Sequence, residues 1–94
     1  MTDFDAMKAA FGEMTAQEDM PIRGVFHLAG FLDDDAIERL TWKRFNAVLS
    51  PKVDGSWFLN ELTRDMPLDH FVVFSSIASV FGTHGQANHV AANT

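Results

Sequence analysis

Phe4, Met7, Phe11 and Met14 recur at spacings of three and four, the pattern of one apolar helix face. Thr2 or Asp3 can cap that helix, and Asp3 and Asp5 suit the positive end of its dipole. Gln17 to Pro21 reads as a turn, and Ile22 to Leu28 (IRGVFHL) as a strand broken by Ala29-Gly30. The polar edge Leu32 to Asp35 then leads into Ala36 to Leu40. Thr41 caps a long helix from Trp42 to Thr63. Phe45, Val48 and Leu49 share one face in its first half, and Trp57, Phe58 and Leu62 continue it in the second. Pro51 and Gly55 predict a kink or break near Ser50. Asp65 to Asp69 turns the chain into Phe71-Val72-Val73-Phe74, a β-branched and aromatic run expected to be a strand buried on both faces. Ser75 and Ser76 follow, then a loop punctuated by Gly82 and Gly85, then a helical start from Ala87 to Asn93.

Helix, strand, helix, strand, helix is an α/β order. Two apolar strands joined by a helical crossover predict a right-handed parallel unit. The serines that end the second strand then lie at the carboxyl edge of the sheet, where ligands bind in open α/β folds. No internal repeat and no low-complexity segment appears.

Composition narrows the picture. The 94 residues suffice for one small domain, and 47% hydrophobic content is too apolar for a disordered chain. A chain of this size buries only about 60–65% of its unfolded surface, so marginal stability is expected. The net charge of −6 argues against a nucleic-acid partner. Neither a membrane-spanning apolar run nor a signal-peptide pattern occurs, so no membrane association is expected. Cysteine is absent, which removes disulfides and thiolate metal sites and is compatible with the cytoplasm. His27, His84 and His89 have no paired spacing, and no metal site is expected. His27 reads as a satisfied core histidine or part of a cofactor floor, and His84 as a loop residue. Tyrosine is absent too.

The carboxyl-terminal third carries a motif. FVVFSSIASVFGTHGQANHVAAN resembles the active-site segment of the ketoreductase domains of modular polyketide synthases, in the short-chain dehydrogenase/reductase superfamily. That family has roughly F-S-S-x-A, then G-x-x-G, a Tyr thirteen positions after the second Ser and an Asn four further on. Here the second Ser is Ser76, the glycines are Gly82 and Gly85, the Asn is Asn93, and His89 stands where the family has Tyr. IRGVFHLAG resembles the family's fourth strand and the loop flanking the cofactor, and SPKVDGSWFLNELT the next helix. Lys52 takes the family's catalytic lysine position, twenty-four before Ser76. The resemblance covers nearly the whole chain.

It implies a partial Rossmann-like, doubly wound parallel sheet with two core strands and flanking helices. It also implies reduction of a β-ketoacyl thioester on an acyl carrier protein to the 3-hydroxyacyl thioester, with NADPH as cofactor. The implied catalytic residues are Lys52, Ser76, His89 and Asn93, and the implied cofactor contacts Ala29, Gly30 and Lys52. Leu32-Asp33-Asp34 resembles the LDD motif of ketoreductases that yield the D-configured product (B-type), and Asp34 precedes His89 by fifty-five positions as in that family. On their own, Ser76 is a strand-end cap, Lys52 a solvated helix lysine, Asn93 an ordinary helix residue, and Asp33 to Asp35 an acidic helix start. An imidazole at position 89 can act as an acid. Against that role, the neighbouring Lys52 cation disfavours an imidazolium, and the side chain is shorter than that of Tyr.

No G-x-G-x-x-G occurs, so the chain reads as a central segment of a ketoreductase, without its Gly-rich amino-terminal half and its carboxyl-terminal end. The rest of that domain is then its natural partner, and an unpaired strand edge invites self-association. Two alternatives stay open: a catalytically inactive or vestigial ketoreductase fragment, and an unrelated α/β interaction module.

Overall fold

A computed structural model describes residues 3–17 and 19–94. Helix α1 (Phe4–Thr15) is capped by Asp3, whose carboxylate accepts from the Ala6 amide at 3.0 Å. The alternative cap, Thr2, lies outside the described residues. Strand β1 (Gly24–His27) is shorter than the expected Ile22 to Leu28. A single 3₁₀ turn, Ile37–Arg39, occupies the Ala36 to Leu40 stretch. Helix α2 (Trp42–Thr63) begins at the expected cap, with Thr41 Oγ1 accepting from the Arg44 amide at 3.3 Å. Strand β2 (His70–Val73) pairs with β1 in parallel, Val25 opposite Phe71 and His27 opposite Val73. A short helix α3 (Ala78–Phe81) and helix α4 (Ala87–Asn93) complete the order.

Four expectations are corrected. The helix does not break near Ser50: Pro51 lies inside a continuous α2. A proline removes one amide and its i−4 bond, and the helix persists because its buried stripe runs through both halves. That stripe is Val48, Gly55, Leu59 and Thr63, at intervals of seven and four. The second correction concerns Trp57, which lies two residues from both Gly55 and Leu59, about 200° around the helix, and is 62% exposed. Third, β2 is not buried on both faces. Phe71, Val72 and Val73 are all exposed, whereas Val25 and His27 of β1 are buried and His27 is bonded to Pro51 of α2. The segment after Ser76 also holds one turn of helix, α3, where only a loop was expected.

The core is small and centred on α2. Its buried hydrophobic residues are Val25, Val48, Leu59 and Ala78. His27, on the same face of β1 as Val25, is 2% exposed and places Nε2 2.9 Å from the Pro51 carbonyl. The core-histidine reading therefore holds. Phe4 meets Phe58 edge-on with ring centroids 5.2 Å apart, docking α1 on α2. Helix α4 packs along α2 near Val48, and this helix pair frames the candidate site. No described helix is long and apolar enough to cross a membrane.

Candidate functional site

Between α2, α4 and the loop after β1 lies a cavity of about 190 Å³. Its lining includes Gly30, Leu32, Lys52, His89 and Asn93. The parallel pairing explains the convergence. It sets the carboxyl ends of β1 and β2 side by side, so the loop after β1 and the chain after β2 open on one edge. Lys52 follows Pro51, the residue bound by His27, so the β1–α2 contact fixes where the lysine emerges. Its Nζ donates to the Phe74 carbonyl at 2.7 Å, and the Phe74 amide donates to the His27 carbonyl at 3.0 Å. The cationic amine is thereby tied to the end of β2. A Cβ at Gly30 would meet Lys52 Cε at 3.4 Å, so the loop backbone lies directly against the lysine stem.

On α4, the Asn93 side-chain Nδ2 donates to the His89 carbonyl at 2.8 Å and lies 3.4 Å from His89 Nδ1. Its Oδ1 is buried and has no hydrogen-bond partner among the described residues. A buried acceptor without a donor costs free energy, and this one belongs to a residue that lines the cavity beside an ammonium and an imidazole. Such a group accepts a hydrogen bond from a water or ligand that enters.

Ser76 is placed differently. Its Oγ accepts from the Ala78 amide at 3.2 Å, the local turn that starts α3, and it is not among the lining residues. Ser75 is the serine that reaches α4, donating to the Asn93 carbonyl. Ala29 is half-buried beside the cavity but does not line it. Of the acidic motif, Leu32 lines the cavity, Asp33 pairs with Arg44, and Asp34 accepts from Gln86 Nε2 at 3.0 Å. Hydrogen bonds from Arg44 hold the Asp33 carboxyl below the usual carboxylate range. The same guanidinium, helped by the Ala36 amide, does so for Asp35.

Sequence reasoning missed Arg44, Gln86 and Asn88. Asn88 is fully buried and bonds the Asp33 carbonyl at 2.8 Å, across fifty-five residues of sequence. No local pattern encodes such a contact.

The KR domain family matches residues 1–94. The chain belongs to the ketoreductase domain family. It is 50% identical over 93 residues to polyketide synthase GfsE of Streptomyces halstedii, covering 99% of this chain and 2% of that protein. It is 47% identical over 91 residues to the polyketide synthase-nonribosomal peptide synthetase TwmB of Talaromyces wortmannii, covering 96% of this chain and 3% of that one. Among solved structures, A-type ketoreductases from a modular polyketide synthase superpose with a TM-score of 0.89 at 42% identity, over 98% of this chain and 19% of theirs. An N-terminal ketoreductase from the macrolactin assembly line gives 0.92 at 29% identity, with the same coverages. This ketoreductase segment therefore spans about a fifth of the solved domains, and its two strands are part of a Rossmann-like sheet.

Proposed function

We propose that this segment forms the catalytic centre of a polyketide synthase ketoreductase domain. That domain reduces a β-ketoacyl thioester held on an acyl carrier protein to the 3-hydroxyacyl thioester. The observation that carries the reading is the convergence of Lys52, His89 and Asn93, from two helices, on one cavity beneath Gly30 and Leu32. The cofactor is NADPH, which supplies the hydride when bound. The residues present fit one end of it: Lys52, Asn93 and the side-chain-free Gly30 line the same space, with Ala29 in the adjoining loop. Lys52 orients the cofactor and, with Asn93, the reacting carbonyl; Ser76, outside the cavity lining here, joins them only when its hydroxyl turns into the cavity. His89 stands where the proton donor is required. Leu32, Asp33 and Asp34 give the domain its B-type, D-configured outcome. The setting is cytoplasmic.

A second reading is that the parent domain is catalytically silent. Two observations favour it: the imidazole at position 89, and the place of Ser76 outside the residues that line the cavity. One experiment separates the two. The segment replaces its counterpart in a complete ketoreductase, and reduction of a β-keto thioester is followed by NADPH consumption. The inactive reading expects turnover only after His89→Tyr, with the wild-type segment down by on the order of 10²-fold or more. Normal rates with His89 in place would show that imidazole reach suffices.

A further inference from the structure

The Leu32–Asp35 segment contains no helix or strand, yet every acidic residue in it is bound from outside. Arg44 grips two of them from α2. Its Nε and Nη2 donate to the two Asp33 carboxylate oxygens at 2.9 and 2.6 Å, and its Nη1 donates to Asp35 Oδ2 at 2.9 Å. From the other side, Asn88 Nδ2 donates to the Asp33 carbonyl at 2.8 Å. The same amide turns its Oδ1 to the backbone N–H of His89, also at 2.8 Å. Asn88 thus touches both the acidic segment and position 89, and it is 0% exposed. Two further bonds close the seam: the Asp35 amide donates to the Gly85 carbonyl at 2.9 Å, and Gln86 Nε2 to Asp34 at 3.0 Å. A planar guanidinium forked onto a carboxylate fixes orientation as well as distance.

We propose that Arg44 and Asn88 are positioning residues that clamp the Leu32–Asp35 segment between α2 and α4, setting its distance from position 89 at the rim of the cavity. This deepens, and rests on, the reading of that cavity as the place where a ketoacyl group is reduced and of the acidic segment as its stereochemical guide. Arg44 reaches the cavity only through Asp33 and Asp35. Asn88 reaches it through the Asp33 carbonyl and the His89 amide. The segment has no backbone ladder of its own, so its conformation follows from these bonds.

The test uses the complete ketoreductase carrying this segment, in whichever form of position 89 turns over, with Arg44→Lys and Asn88→Ala. Lysine keeps the charge and loses the fork. Amide exchange at Asp35 and Ala36 is expected to rise about tenfold in either variant, with exchange at Phe26 in β1 unchanged. The ratio of the two 3-hydroxy epimers is expected to shift on the order of tenfold toward the minor product. Asp33→Asn combined with Arg44→Gln should be non-additive, since the two share one contact. Unchanged exchange at Asp35 and Ala36, or an equal rise throughout the sheet, would overturn the clamp without reference to turnover. Asp34→Asn, which leaves the Arg44 fork intact, tests the underlying reading separately. If it moves the epimer ratio while Arg44→Lys and Asn88→Ala do not, positioning is wrong. If it leaves the ratio unchanged while exchange rises in the clamp variants, the stereochemical reading fails and the clamp stands.

Discussion

Arg44 shows how one side chain organises an irregular stretch. Hydrogen bonds from it lower the pKa of Asp33 and Asp35, and Arg39, 3.8 Å from Asp35, adds a weaker pull. A carboxyl whose folded pKa lies below its unfolded value, about 3.9, stabilises the fold fully above that value. The contribution fades as pH falls through the lower, folded pKa. The Arg44 Nε–H resonance is therefore expected to stay constant from neutral pH to about pH 5. It should then titrate below about pH 4, and Asp33→Asn should reduce the step to the share contributed by Asp35. A transition near neutral pH would assign the linkage to some other group. At this scale the sequence marked Lys52, His89 and Asn93, which the fold brings to one cavity, and it marked Ser76, which turns toward Ala78 instead. Spacing places a residue at the end of an element, whereas the direction of its hydroxyl depends on which amide lies nearest.

Among the elements, α2 is the one on which the others rest: α1, α4, His27 and the acidic segment all contact it. Its cap at Thr41 and its end at Thr63 were legible from residue types. The continuity through Pro51 was not, because tertiary contacts on both sides outweigh a local penalty. In a helix interior proline is about 3 kcal/mol less favourable than alanine. In a complete ketoreductase carrying this segment, Pro51→Ala is accordingly expected to stabilise the fold by about 1–3 kcal/mol, seen as a higher urea midpoint at unchanged slope. A lower midpoint would mean that the proline sets the α2 path onto which His27 docks.

As a whole the molecule is under-buried for its length. Its Cα radius of gyration is 15.5 Å, where a compact chain of this size has about 12 Å. Its accessible surface is 6459 Å², against roughly 5,400 Å² for a folded monomer of this mass. Phe26, Phe74, Ile77, Val80 and Phe81 are all exposed, and β1 has a single strand neighbour in the described sheet. A two-stranded sheet with an open edge recruits further strands. The isolated chain is expected to sediment as an associated species or to melt without cooperativity. A monodisperse monomer with a sharp transition above about 50 °C would overturn this. With no Gly-rich phosphate turn in the sequence, the isolated chain is also expected to bind NADPH very weakly or not at all. Calorimetric affinity in the low-micromolar range (about −8 kcal/mol) would contradict that.

The amino-acid sequence by itself determined the α/β order, the caps at Asp3 and Thr41, the helix from Ala87 to Asn93 and the positions of the candidate residues. These rest on periodicity, cap chemistry and motif spacing, which act over a few residues or along one family pattern. Gly82 and Gly85 were legible for the same reason: both adopt φ near +70°, where a side chain would be strained. Tertiary structure alone decided that β2 lies open, that α2 runs unbroken past Pro51, and that Asp33 is held by Arg44 and Asn88. It also decided that the Asn93 oxygen is buried without a partner among the described residues, in a side chain that lines the cavity with Lys52 and His89. Each of these depends on which surfaces meet, and contacts between residues far apart in sequence leave no local trace.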